Sequence, residues 1–322
     1  MKTVLDSLAS RRVFSGVALF ARNDSLFLVK SGLKKFHSGD SVDFFDRFQL
    51  ASLTKPLTAS AIMLLVQQGE LSLDSDVSHI LTGLPYKGIK VRHLLSHRSG
   101  LNYYAYHTDE LWPAPDLFMT NSDLLSMLEC GEIECFFRPG QRFDYSNTNY
   151  ALLAQIIEEV SGTSFKTYMR EQLFEPIGMF DTEVLDAFAK PPSAYPVIGD
   201  LPLHHNQSAF YLDGVVGDKG VYSTALDMYK FYLEWKCGEL LTQSSKKQMM
   251  RPISRTGAKS YYGLGLRSEV LAVGDTLVYH NGWWRGFRSY FWMAKHENKA
   301  LIILTNSARG GYIRPAMLWN KF

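Results

Sequence analysis

Three short groups of residues have the types and spacing that acyl transfer needs. The first is Ser52-Leu53-Thr54-Lys55. A spacing of three places the serine hydroxyl and the lysine amine on one helix face, about one turn apart. A serine in the first turn of a helix also lies in the positive end of the helix dipole, where an alkoxide is stabilised. A lysine whose charge is disfavoured by burial can then accept the hydroxyl proton. The spacing alone is common, and Ser31/Lys34 and Ser244/Lys247 repeat it. Only Ser52 opens a long apolar run, residues 57–66 (LTASAIMLLV), and a helix with no polar face is a buried one.

The second group is Tyr145-Ser146-Asn147, within RPGQRFDYSNTNY. A tyrosine in this loop can act as a general base where nearby cations lower its pKa, and Asn147 offers both a donor and an acceptor to a substrate amide. Taken alone, the ordinary reading is a buried tyrosine beside an N-capping Ser or Asn. The Tyr-x-Asn pattern also recurs at Tyr279-His280-Asn281. The third group is His280-Asn281-Gly282, at the end of a strand pattern. Gly282 lets a substrate approach the backbone closely, and the N–H of Trp283 can join that of Ser52 as an oxyanion hole. Its ordinary reading is a strand histidine before a turn.

The chain supplies elements to hold these groups. Residues 16–20 and 26–29 are apolar stretches around Asn23-Asp24-Ser25, the pattern of a β-hairpin, and residues 3–9 can form a short helix packed on it. Residues 276–305 predict three strands, the last two joined around His296-Glu297-Asn298. Strand-rich ends and a helical middle predict one antiparallel sheet built from both termini, an α+β layout with an inserted helical lobe. Within that lobe the apolar helix after Ser52 stops at Gly69, and Pro56 falls in its first turn. Residues 149–160 are amphipathic, and Ser164 caps the next helix. Residues 183–210, proline-bearing and aperiodic, predict a long surface loop that includes His204-His205.

In the order SLTK, YSN, HNG, these groups resemble the motifs of the serine β-lactamase, D,D-peptidase and esterase superfamily, in its class C-like, penicillin-binding-protein branch. The resemblance covers nearly the whole chain: FQLASLTKPLTASAIMLLVQQGELSLDSDV, VRHLLSHRSGL, FEPIGMFDT, GVYSTALDM and YGLGL sit where that family has similar stretches. It implies a single domain over residues 1–322. An antiparallel sheet flanked by helices (about 1–50 and 211–322) would carry a mostly helical second lobe (about 51–210). It implies Ser52 as nucleophile, Lys55 and Tyr145 as proton carriers, and Asn147 on the substrate amide. The N–H groups of Ser52 and Trp283 would hold the oxyanion, with His280 hydrogen-bonded near Tyr145 or the substrate. The implied substrates are D-amino-acid peptides, amides or small esters, with weak β-lactam hydrolysis. The alternative is a penicillin- or peptide-binding protein that acylates or binds without turnover. A histidine replaces the lysine of the third motif, and an imidazole with a pKa of about 6.5 offers no fixed cation at pH 7. That places the chain nearer to D,D-peptidases and esterases; Arg285 or Arg288, just past Gly282, is a candidate contact for a substrate carboxylate, although the ordinary reading of each is a solvent-facing strand arginine.

Bulk properties narrow the rest. With 322 residues, 46% hydrophobic and 20% charged, the chain is a globular protein of one large domain or two ordinary ones. A net charge of +2 without basic blocks gives no footprint for nucleic acid, and Lys34-Lys35 and Lys246-Lys247 read as solvated surface. No apolar run is long enough for a transmembrane segment. The N-terminus, MKTVLDSLASRRVFSG, lacks the apolar core of a signal peptide, although the resemblance implies a periplasmic or extracellular site; the first feature alone would suggest the cytoplasm. Three cysteines do not make a disulfide framework, and Cys130 could reach Cys135 only through a tight turn. His93 and His97 have the i, i+4 spacing of metal ligands, but Leu94 stands where a zinc-protease motif has Glu. Trp283-Trp284 fits a cleft rim or sheet packing equally, and Tyr103, Tyr104 and Tyr106 are candidate cleft aromatics. No phosphate-binding glycine loop is present, so the expected partner is a small molecule or peptide with no cofactor.

Overall fold

The computed structural model describes residues 5–7, 10, 14–23, 25–34, 39–114, 116–131, 133–185, 211–271, 274–294, 296, 298–307 and 319–320. The two apolar stretches near the N-terminus form the expected hairpin, β1 (Gly16–Arg22) and β2 (Ser25–Ser31). A two-residue strand, β3 (Phe48–Gln49), precedes the catalytic-type motif. The α-helices of five or more residues that follow are α1 (Thr54–Gln68), α2 (Val91–Leu95), α3 (Asn121–Glu129) and α4 (Thr148–Ser161), with a six-residue π-helix at Met169–Phe174. Then come β4 (Glu183–Val184), β5 (Val221–Ser223), α5 (Ala225–Cys237) and α6 (Gln243–Met250). The chain finishes in six strands: β6 (Ser254–Arg255), β7 (Ser260–Tyr262), β8 (Arg267–Val270), β9 (Thr276–Trp284), β10 (Phe287–Ala294) and β11 (Lys299–Thr305).

Both ends of the chain build one sheet. Its order is β2-β1-β11-β10-β9-β8-β7-β6, and its pairings are antiparallel. Central β11 is buried along its whole length (KALIILT), as a strand covered on both faces must be. One face carries α5 and the main core, which runs on into the helical lobe. The other packs Phe14, Phe20, Leu301, Ile303 and Trp319 into a smaller cluster. β3, β5 and β4 make a small second sheet beside the nucleophile turn.

Helix α1 is buried on every side from Thr54 to Leu65, which follows from its lack of a polar face, and it ends at Gly69 with φ +80°. It contacts α4, whose apolar stripe includes Leu152, Leu153, Ile156 and Ile157. Ser164 caps the following turn through Thr167 N–H, as its position predicts. Other expectations need correction. Lys246 is not surface: it is 1% exposed and pairs with Glu234 at 3.0 Å, while Lys34 pairs with Asp46 at 2.9 Å. Cys130, Cys135 and Cys237 are free, exposed thiols. The expected helix at 3–9 and the loop at 183–210, with His204 and His205, fall largely outside the described residues; within the loop, Glu183–Val184 is a strand.

Gly282 shows how the sheet fixes the site. A Cβ there would overlap the Leu50 carbonyl oxygen and Ser289 Oγ and stand 3.1 Å from Ala51 Cβ. Gly282→Ala is therefore expected to lower stability by about 1–3 kcal/mol, the usual range for overpacking, and to slow ester turnover. Urea unfolding and a chromogenic-ester assay check this; an unchanged midpoint and rate would show that the strand can yield.

Candidate active site

The nucleophile candidate lies on a strained turn, one step before the helix proper. Ala51–Leu53 is a 3-10 turn, and Ala51, fully buried, has φ +51°. A non-glycine residue in that region costs of order 1–3 kcal/mol and persists only where its surroundings hold it. Two other positive-φ residues, His97 (+54°) and Arg285 (+43°), also lie around the cleft. The turn half-exposes Ser52 while Lys55, at the start of α1, is fully buried. Lys55 Nζ donates to Ser52 Oγ at 3.1 Å and to the Asp218 carbonyl at 2.9 Å.

Tyr145 converges on the same lysine. Its ring centroid lies 5.1 Å from Lys55 Nζ, on the side of the cleft formed by the loop before α4. Asn147 is the N-cap residue of α4 but makes no side-chain cap bond. Its carboxamide oxygen is buried and has no hydrogen-bond partner. A buried acceptor without a partner carries a desolvation cost that a ligand N–H can offset. The close approach at Gly282 brings β9, with Trp283 next in line, against the Ser52 turn. The indole of Trp283 is 60% exposed, and that of Trp284 donates to Asp213 Oδ1 at 2.7 Å.

His280 differs from its expected setting. It is 1% exposed, its ring centroid is 6.4 Å from that of Tyr145, and its nitrogens are both engaged. Nδ1 faces the Asn281 carbonyl at 2.8 Å, so Nδ1 carries the proton and Nε2 accepts from the Tyr262 hydroxyl at 3.2 Å. Tyr262 in turn meets His97 Nε2 at 3.2 Å. His97 Nδ1 receives Ser146 N–H at 3.3 Å, so His97 carries its proton on Nε2 and donates it to Tyr262. A directional chain, His97 to Tyr262 to His280, therefore runs behind Tyr145, and the His97 ring lies on that of Tyr145 at 4.2 Å between centroids. Burial, followed by the charges of Lys55 for His97 and Arg267 for His280, holds both imidazoles well below 6.5. Both are neutral at pH 7.

The sequence reasoning missed four groups here. His97 was weighed only as a metal-type partner of His93, whose own Nδ1 instead accepts Lys90 N–H at 3.2 Å. Tyr262 stood in YGLGL without a role. Arg267, five residues on, holds its guanidinium 5.3 Å from the ring centres of both Tyr145 and Tyr262, and no carboxylate pairs with it among the described residues. An arginine directly after the glycine-bearing turn at residues 263–266 was the available signal. Asp218-Lys219, charged residues inside VVGDKGV, were the other. Arg285, in contrast, is paired with Asp213, and Arg288 stands over the Trp283 ring. Tyr103 is half-buried, Tyr104 fully buried and Tyr106 exposed.

A partly exposed serine held by a buried lysine, between an antiparallel sheet and an apolar helix, defines a serine hydrolase of the sheet-and-helix kind. The chain belongs to the beta-lactamase family, whose model matches residues 2–319. It is 30% identical to penicillin-binding protein 4* of Bacillus subtilis, over 99% of this chain and 74% of that protein. It is 27% identical to a D-aminopeptidase of Brucella ovis over 81% of the chain, but spans only 50% of that longer relative. Among solved structures, a penicillin-binding protein from Bacillus halodurans superposes with a TM-score of 0.86 at 26% identity, covering 100% of both chains. A D-amino acid amidase from Ochrobactrum anthropi superposes with a TM-score of 0.80 at 26% identity, over 95% of this chain and 90% of that one.

The neutral histidines give a pH dependence. Unfolded, each imidazole titrates near 6.5; folded, each titrates lower, so the unfolded chain binds more protons once the pH falls below 6.5. Their contribution is complete above that value and is lost on acidification toward the folded pKa, by up to about 1.4 kcal/mol per pH unit for each ring. Urea midpoints between pH 8 and 5 are expected to fall, and His280→Asn to flatten part of that fall. An equal slope in wild type and variant would mean that His280 is not held neutral.

Proposed function

We propose that the protein hydrolyses D-amino-acid peptides, amides or small esters through an ester formed on Ser52. The observation that carries the reading is the buried Lys55 ammonium hydrogen-bonded to the half-exposed Ser52 hydroxyl at 3.1 Å. Ser52 Oγ attacks the substrate carbonyl while its proton passes to the coupled pair of Lys55 and Tyr145, acting in the state that holds one proton fewer than an ammonium with a phenol, so that one of the two is a free base. The new oxyanion is held by the N–H groups of Ser52 and Trp283. The pair returns the proton to the departing amine or alcohol, the C–N or C–O bond breaks, and water then hydrolyses the Ser52 ester by the reverse proton path. Asn147 offers its unpaired oxygen to the N–H of the substrate amide.

The names of two relatives, a D-aminopeptidase and a D-amino acid amidase, support D-configured substrates. The third motif supplies no cation, because His280 is neutral and buried. Arg267 would supply one instead: it is half-buried, with its guanidinium over the Tyr145 ring at 5.3 Å, and a guanidinium pairs well with a free carboxylate. This favours substrates with a C-terminal acid.

Ser52→Ala is expected to abolish adduct formation, read by mass spectrometry after exposure to esters, D-Ala-D-Ala peptides and a penicillin. Tyr145→Phe is expected to slow turnover about 10²-fold. A stable adduct without product release would assign the chain to the acylating binders instead. Arg267→Ala should raise KM about tenfold or more for a free-acid D-peptide and leave KM for its amide unchanged. Equal effects on both substrates would remove Arg267 from carboxylate recognition.

A further inference from the structure

The carbonyl that holds Lys55 belongs to a loop with a second buried lysine. Residues 217–220 read Gly-Asp-Lys-Gly, and both glycines have positive φ, +97° and +93°. Gly217 packs against the backbone of α4, and its carbonyl accepts from Thr58 of α1 at 2.8 Å. Between them Asp218 is fully buried and Lys219 is 2% exposed. Lys219 Nζ reaches three acceptors: Tyr104 Oη at 2.9 Å, the Val215 carbonyl at 2.8 Å and Asp218 Oδ1 at 3.4 Å. Tyr104 donates in turn to Asp218 Oδ2 at 3.1 Å. The ammonium also lies 5.0 Å from the Trp284 ring centre, and Trp284 is tied through Asp213 to Arg285 at the β9–β10 turn.

This arrangement is not what stability alone selects. A buried ion pair is often replaceable by apolar residues without loss, because desolvation consumes its Coulombic gain. A loop with two glycines, however, has conformations to spare. An ammonium with all three protons committed removes that freedom. We propose that Lys219 is a positioning residue for Lys55: it locks the Asp218 carbonyl onto the Lys55 ammonium and keeps the Asp218 carboxylate engaged, so that Lys55 stays on Ser52. The same cation, against Trp284, ties this loop to the hairpin that carries Trp283. The inference rests on the assignment of Ser52 and Lys55 as the reacting pair.

The groups that share this field are few. Lys55 faces Tyr145 from the loop before α4 and Tyr150 from α4 itself, and its charge reaches the buried His97 and His280 behind Tyr145. Lys219 faces Asp218, Tyr104 and Asp213, and the repulsion between Lys219 and Lys55 is felt by both. Burial is the first influence on Lys219 and lowers its pKa, and the Asp218 carboxylate opposes it. Without Lys219, the Asp218 carboxylate keeps the Tyr104 hydroxyl, while Lys55 stays bonded to the backbone carbonyl of the same residue.

The test is the pH profile of Ser52 acylation by a chromogenic ester, read by stopped flow. Lys219→Met is expected to move the acid limb up by about one pH unit, because a bare carboxylate now favours the Lys55 ammonium. The double variant D218N/K219M removes that charge, so the limb is expected to return to its wild-type place. The acylation rate constant of the double variant stays at least about tenfold down, with KM unchanged, because the loop is no longer locked. A general structural defect would lower the rate of both without moving the limb. If Lys219→Met does not fold, Lys219→Gln, which keeps a hydrogen-bonding side chain without the charge, is read for the same upward shift of the limb. An unmoved limb in the single variant, or wild-type acylation in the double, overturns the inference. Absence of any Ser52 adduct in the wild-type protein would instead overturn the hydrolase reading itself.

Discussion

Everything at the site depends on how closely β9 approaches the turn that carries Ser52. A residue with a side chain cannot occupy position 282, because the Leu50 carbonyl, Ser289 Oγ and Ala51 Cβ already fill that space. The Ser289 hydroxyl donates to the same Leu50 carbonyl, so sheet and turn are joined by a bond as well as by contact. That clamp is what allows Ala51 to sit at φ +51°. The strain is local and the restraint is distant in sequence, the arrangement by which a folded chain keeps a reactive group in a conformation it would not choose alone.

The second feature is the amount of charge and polarity buried around one hydroxyl. Lys55, Lys219, Asp218, His97, His280 and Tyr262 are all nearly inaccessible to solvent. Each is engaged: the lysines by carbonyls and hydroxyls, the histidines by a chain of hydrogen bonds with one consistent direction. In a low-dielectric interior such a network is rigid when satisfied and costly when broken. The apolar helix α1 and the inner face of the sheet supply that interior. Asn147 Oδ1 is the exception, buried and without a hydrogen-bond partner.

Two cations approach Tyr145 from different elements. Lys55 is bonded to Ser52, whereas Arg267 lies over the Tyr145 ring. His280, at the motif position where relatives can carry a lysine, is withdrawn behind them as a neutral acceptor. The chain therefore resembles its family in the order of its motifs, while the guanidinium nearest Tyr145 comes from a different strand, β8.

The sequence by itself determined the elements whose side chains obey a simple period or none. The all-apolar run after Ser52 could only be a buried helix, and the terminal strands could only join one sheet. SLTK, YSN and HNG, in that order, determined which serine and which lysine meet. Tertiary structure alone decided what depends on packing between distant segments. The 3-10 turn at Ser52 exists because β9 presses on it, and Lys246 is buried because Glu234 receives it. His280 faces Tyr262 and not the cleft, and Arg267 and Lys219 reach the site from strands and loops remote in sequence. Period and spacing report on neighbours along the chain; a side chain's hydrogen-bond partner across the fold leaves no such trace.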